Sequence, residues 1–327
     1  MNNRNKFILK SIKNNLKIWV KFSIGKKEHI AGKRFFNHSE EEVIEVINTV
    51  YNNYKKYGDI GDNFIKNKKI LEIGPGDSFG VALNFMFAGA KEVICYDKFY
   101  ANRNENLLKE VYKKMFKKQS KYTFTKLFNK NLFPKQPIKY YYGKGIEEVK
   151  LEVGTDFYKD KFDLIISNQV LQEIYNPKPA FKKMIDLLNV KGKMIHHIDF
   201  EPYNYFKSHS KVEYDFLTYN SFIYKWMVNK RGMSNRKRIT EYIQFLDSFS
   251  NIKYKFLVYS SFLNKKKLSK EIIEYPNFSS EVKGYYATIV NEQKINFNKK
   301  YKQLPLEDFI VGNAFLIIEK TNKKEPF

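Results

Sequence analysis

A chain of 327 residues that is 43% hydrophobic and 17% aromatic can bury an extensive core, so disorder is not its default state. That length suits one large α/β domain or two smaller ones, and no run approaches the roughly 20 apolar residues needed to cross a bilayer. The formal charge of +24 has two explanations: attraction to nucleic acid, anionic lipid or an anionic substrate, or a chain-wide bias toward Lys, Asn, Ile, Phe and Tyr.

The start, MNNRNKFILKSIKNN, lacks the apolar segment and small-residue cleavage site of a secretory leader. The one cysteine, Cys95, falls in a predicted buried strand, which excludes an intrachain disulfide framework and fits a cytoplasmic protein. Residues 1–34 carry ten Lys or Arg against a single acidic residue, Glu28. Ile8, Ile12, Leu16, Val20 and Ile24 recur every fourth position, joined by Phe7, Trp19 and Phe22, which predicts an amphipathic helix with a basic flank. Two readings of it stand side by side. It lies on an anionic membrane at the inner face, anchored by Trp19 and Phe22, or its apolar side packs on the domain or a second subunit.

Ser39-Glu40-Glu41-Glu42 is a capping-box helix start, and Val43, Ile47, Val50 or Tyr51, and Tyr54 form the stripe of a helix that ends near Tyr57-Gly58-Asp59. Residues 1–60 thus read as a basic helical extension before a main domain at 61–327. That domain begins with strand 69–73, a glycine-rich turn 74–78, helix 79–88 and strand 92–97. A long connection, 100–137, contains a basic helical stretch at about 103–118, and Ile138–Tyr142 is the third strand. The continuous apolar run Phe162–Asn168 suits a parallel strand covered on both faces. Helix 180–188 and strand 193–199 follow, so the alternation predicts an open, mostly parallel sheet. Residues 201–235 break the rhythm and read as a helical lid or substrate-binding insert. Helix 236–249, strand 252–259, a helical insert near 266–274 and a last strand near 310–319 complete the chain.

Lys68–Asp97 carries the most specific signal. A strand running into Gly74-Pro75-Gly76 and then a helix leaves free N–H groups facing a charged, adenosine-bearing ligand, and Asp97 at the tip of the next strand is placed to hold ribose hydroxyls. A nicotinamide dehydrogenase is the physical rival, but its fingerprint wants glycine where Phe79 stands.

Leu71-Glu72-Ile73-Gly74-Pro75-Gly76, Asp97 and Asp163–Asn168 together resemble the motifs of class I S-adenosylmethionine-dependent methyltransferases, over roughly residues 66–199. The resemblance implies an α/β, Rossmann-like, mostly parallel seven-stranded sheet with an antiparallel last strand. It also implies S-adenosylmethionine held by Glu72, Gly74, Gly76, Ser78, Asp97, Glu147, Ser167 and Asn168. Ser78 stands where the family's third glycine falls, with Gly80 two residues on, and Glu147 lies three to four residues beyond the usual adenine-side position.

Methyl transfer needs an aligned nucleophile and sometimes a base. Strand 193–199 delivers His196, His197 and Asp199 toward the carboxyl edge of the sheet, and alternation puts His197 and Asp199 on one side as a base and its orienting partner. This region is similar to a bacterial subset of the family associated with sugar and cell-surface polysaccharide pathways. The similarity implies transfer to a hydroxyl of a sugar, nucleotide sugar or lipid-linked glycan. Glu201, Asn235, Arg236 and Arg238 are the substrate-binding candidates, with the arginines read either as an anion clamp or as caps at a domain seam. Asp199, Glu201 and Asp215 form no closed magnesium motif, and Cys95 with the five histidines has no zinc spacing. An RNA methyltransferase and a catalytically inactive basic or peripheral membrane protein are the alternatives. Ser167-Asn168-Gln169-Val170 lacks the Pro-Pro-aromatic loop of base-amine methyltransferases, so nucleic acid ranks below a small molecule or glycan.

Overall fold

The computed structural model describes residues 3–23, 35–117, 122–148, 161–203, 206, 212–228, 234–263 and 272–322. Residues 24–34, the middle of the 201–235 insert and most of the helical insert expected near 266–274 lie outside them.

The apolar runs noted in the sequence become β1 (Lys69–Ile73), β2 (Glu92–Asp97), β3 (Ile138–Tyr142) and β4 (Phe162–Asn168). Their side chains alternate between two cores on opposite faces of the sheet. Leu71, Ile73, Ile94 and Ile165 enter one; Ile70, Val93, Cys95, Leu164 and Ile166 enter the other. Burial on both faces is why these strands read as unbroken apolar runs. With β5 (Leu188–Asp199), β6 (Ile252–Ser261), β7 (Ile273–Glu274) and β8 (Val311–Lys320) they form one sheet in the order β3-β2-β1-β4-β5-β8-β6-β7. Neighbours from β3 to β5 are parallel, whereas β8 runs antiparallel to both β5 and β6. The architecture is the expected Rossmann-like α/β fold. Among the described residues it has eight strands, not seven, because Ile273–Glu274 adds a two-residue edge strand where a helical insert was expected.

α1 (Asn3–Ser23) and α2 (Glu40–Gly58) precede the sheet. Ser39 caps α2 as its sequence requires: its hydroxyl accepts from Glu42 N at 3.2 Å, and its own N–H donates to the Glu42 carboxylate at 2.7 Å. Val43, Ile47, Tyr54 and Tyr57 turn into the core. α3 (Gly80–Phe87) is apolar on almost every side and is buried between α2 and the sheet. Gly80 makes that possible, since a Cβ there would lie 2.3 Å from the Ile47 side chain.

The later elements are α4 (Glu105–Phe116), α5 (Pro177–Leu187), α6 (Ser221–Val228), α7 (Ile239–Leu246) and α8 (Ser280–Lys294). α5 starts at Pro177, three residues earlier than expected, because proline is accepted in the first helical turn. α7 starts at Ile239, not 236, since Arg236 has φ +60° and Arg238 is extended. α8 was not anticipated: only Tyr286 and Val290 are buried, too narrow an apolar stripe to stand out in the sequence.

Candidate active site

The carboxyl ends of β1, β2 and β4 open onto a cavity of about 910 Å³. That lies within the range of about 300–1,000 Å³ usual for small-molecule sites. Its floor is the turn after β1. Gly74 has φ +72° and a Cβ on it would sit 2.3 Å from Val170, so glycine is required there by both backbone and space. Gly76, at φ +62°, has nothing within 4 Å of such a Cβ, which leaves its backbone open to a close ligand. The outer side of the turn is held by Arg103, whose guanidinium donates to Gly76 O at 2.8 Å and lies over the rings of Phe79 and Tyr140. Ser78 lines the cavity, while its hydroxyl accepts from Gly80 N at 2.9 Å and partners Tyr112.

Charge distinguishes the cavity from the rest of the protein. Among the described residues, Glu72, Asp77, Asp97, Glu147, Glu148 and Glu173 line it, against Lys98 as the one lysine or arginine. Burial pushes the Glu72 carboxyl up to about 8, countered by the Cys95 thiol that donates to it at 3.6 Å and reinforced by the Asp97 charge. Burial also raises the Asp97 carboxyl, opposed by the Phe99 N–H that donates to it at 3.1 Å. Glu147, the residue that seemed too late in sequence for the adenine side, does line the cavity. Its carboxylate lies over Gly145, where any Cβ would stand 2.5 Å away, and pairs with Lys98 at 3.3 Å.

Of the cofactor candidates, Glu72, Gly74, Gly76, Ser78, Asp97, Glu147 and Asn168 therefore share one cavity. Ser167 does not line it. Its hydroxyl is fully buried against His196 Nδ1 at 2.8 Å, because alternation turns it inward one residue before the strand ends.

The catalytic candidates lie outside the cavity lining. Neither His196, His197 nor Asp199 is among the cavity-lining residues. His196 is fully buried beside Phe181, and burial pushes its imidazole down to about 3, so it remains neutral and remote from any acceptor. His197 is on the opposite face, as parity requires, but its ring stacks on Phe315 and its Nδ1 lies 2.8 Å from Asn168 Oδ1. Its reach into the cavity is through Asn168, which it positions. Asp199 accepts from Glu201 N at 2.8 Å, and Glu201 is buried against Gly312; neither lines the cavity.

The arginines occupy a seam, and neither faces the cavity as a clamp would. Arg236 donates to Phe216 O and Tyr219 O and stacks on Tyr224. Arg238, fully buried, donates to the carbonyls of Phe200, Asp308 and Val311. Asn235 is also buried, and its amide donates to Leu171 O at 3.0 Å and Ile174 O at 2.7 Å. It thereby braces a single helical turn, Leu171–Glu173, that points a residue missed by the sequence reading into the cavity.

That residue is Glu173. It meets water at the concave cavity wall, yet the surrounding protein desolvates it and pushes its carboxyl up to about 7, with Asp97 adding to the rise. Tyr203 donates to it at 2.6 Å, which holds its orientation and opposes the shift. The sequence signal was present. It is the acidic residue that follows β4 in Leu171-Gln172-Glu173-Ile174. Among the described residues, no group of three or more His, Cys, Asp or Glu side chains is placed to hold a metal ion.

No protein-family model matches the chain, and no curated protein matches it. Solved structures with some likeness include a Listeria monocytogenes protein assigned as an S-adenosylmethionine dependent methyltransferase, at 15% identity and TM-score 0.40 over 80% of this chain and 94% of that one. The YcgJ protein from Bacillus subtilis is 11% identical at TM-score 0.40, over 84% and 98% of the two chains. Haemonchus contortus phosphoethanolamine N-methyltransferase 2 is 13% identical at TM-score 0.41; the match spans 98% of this chain and about three fifths (61%) of that protein. Likeness at this level assigns neither substrate nor residue roles.

Proposed function

We propose that the protein transfers a methyl group from S-adenosylmethionine to a hydroxyl of a small acceptor, most simply a sugar or a lipid-linked glycan. The observation that carries this is an acidic cavity inside a strongly basic chain, built where a glycine turn and a strand-tip aspartate meet. An open α/β sheet takes its ligands at that edge. Asp97 accepts from ribose hydroxyls, the open backbone at Gly76 admits the methionine portion, and the carboxylates around them favour a ligand with cationic ammonium and sulfonium groups. The cofactor supplies an electrophilic methyl group. Glu173, held by Tyr203, accepts the proton of an acceptor hydroxyl entering from the Asn168–Asn176 side. The same carboxylates disfavour a polyanion in the cavity, which argues against RNA and against the pyrophosphate of a nucleotide sugar as its occupant.

Calorimetric titration with S-adenosylmethionine tests the first half of the reading, and absence of binding would favour a catalytically inactive binding protein. Transfer of labelled methyl groups to glycan extracts, nucleotide sugars or total RNA tests the second. Labelling confined to RNA and abolished by salt would replace the acceptor class.

A further inference from the structure

α1 has three faces. At about 100° per residue, Phe7, Ser11 and Asn15 lie on one arc and are buried. Along it Asn15 donates to Trp226 O at 2.8 Å, and Arg4 donates to Thr218 and covers Tyr219, so the helix is fixed alongside α6. The next arc is apolar and faces outward: Leu9 is 55% exposed, Leu16 37%, Trp19 51% and Val20 51%. The third arc holds Lys6, Lys10, Lys13, Lys17 and Lys21, all exposed, and no acidic residue occurs between Asn3 and Ser23. α6 adds exposed Phe222, Ile223 and Trp226, with Lys225 beside them. A helix that only packed on its domain would not leave this second apolar arc in water.

We propose that the outward arcs of α1, together with the exposed side of α6, dock the protein on an anionic phospholipid surface. The charge pattern selects that partner. Five lysines flank an apolar arc of interfacial width, so phosphate head groups meet the ammonium groups while Leu9, Leu16 and Val20 enter the acyl boundary. Trp19 belongs both to this face and to the wall of the acidic cavity, so docking brings the cavity wall to the bilayer. Delivery of a lipid-linked acceptor to the cavity by this route rests on the methyl-transfer reading; the docking itself does not.

The test is co-sedimentation of the full chain with phosphatidylcholine vesicles, with and without phosphatidylglycerol, at low and high salt. Binding is expected only with phosphatidylglycerol. It should fall with salt and drop on the order of tenfold or more in Leu9→Glu/Leu16→Glu and in Lys10→Glu/Lys17→Glu, while Lys182→Glu on α5 changes it little. Both sets of substitutions are on solvent-facing positions, and sedimentation velocity without lipid reports their folding and assembly. Three outcomes overturn the proposal: no binding to phosphatidylglycerol vesicles, equal loss in Lys182→Glu, or a lipid-free dimer that Leu9→Glu/Leu16→Glu dissociates. Titration with S-adenosylmethionine in the same samples separates the two readings, because vesicle binding with no cofactor binding would sink only the enzymatic one.

Discussion

Burial raises three carboxyls of the cavity, Glu72, Asp97 and Glu173. Glu173 lines the Asn168–Asn176 side of the cavity and, at about 7, passes between acid and base near neutrality. As a base it must be ionised, so kcat should rise with pH up to about 7 and then level off. Tyr203 and Asp97 are the titratable groups acting on it. Glu173→Gln should lower kcat by about 100-fold or more, remove that limb of the profile and leave cofactor affinity nearly unchanged; a full-rate Gln variant would return the base role to another group. Asp97→Ala should weaken cofactor binding by roughly ten- to a hundredfold, the loss of one or two charge-assisted hydrogen bonds, without unfolding the protein. Calorimetry reads it directly. Glu72 acts on stability. Its folded value of about 8 lies above the ordinary 4.5, so its contribution is complete below about pH 4.5 and is lost as pH rises through about 8. The wild-type unfolding free energy should therefore fall between about pH 4.5 and about pH 8 by more than that of Glu72→Gln, a difference on the order of a few kcal/mol. Sequence spacing located Glu72, Gly74, Gly76 and Asp97 because local chain geometry alone sets their direction. The placement of His197 and Glu173 was not legible because the difference between facing a cavity and facing Phe315 is decided by β8 and the Asn235 brace, both remote in sequence.

At the scale of elements, the strands were legible because burial on both faces forces continuous apolar runs, and α2 was legible because its cap is local. α8 was not, since a helix that buries one thin edge has almost no periodic signal. The Asn235–Arg238 segment, read either as an anion clamp or as caps at a seam, is a buried junction among β5, β8 and the start of α7. Its arginines donate to the carbonyls of Phe216, Tyr219, Phe200, Asp308 and Val311, where these segments meet. Arg238→Met should consequently lower stability by about 3 kcal/mol, since several buried carbonyls lose their donors at once. The measurement is a denaturant midpoint. A substrate-clamp role would appear instead as a raised KM at unchanged stability.

Over the whole molecule, a strongly basic chain carries a cavity whose described lining is mostly acidic. The sheet order makes that contrast possible, because the loops after β1, β2 and β4 converge at one edge while lysines populate the outer helices. A cationic nucleoside approaching from afar is repelled by +24 elementary charges and attracted only within the last few ångströms. Salt shortens the reach of the repulsion to about 8 Å at physiological strength, while the desolvated carboxylates are shielded far less. Capture of S-adenosylmethionine should accordingly speed up as ionic strength increases, opposite to the usual behaviour of steered encounters, whereas its demethylated, uncharged-sulfur product should show almost no such dependence. Stopped-flow association rates for the two nucleosides at several salt concentrations would display the contrast, and the protein would favour charged cofactor over spent product most strongly where counterions are abundant.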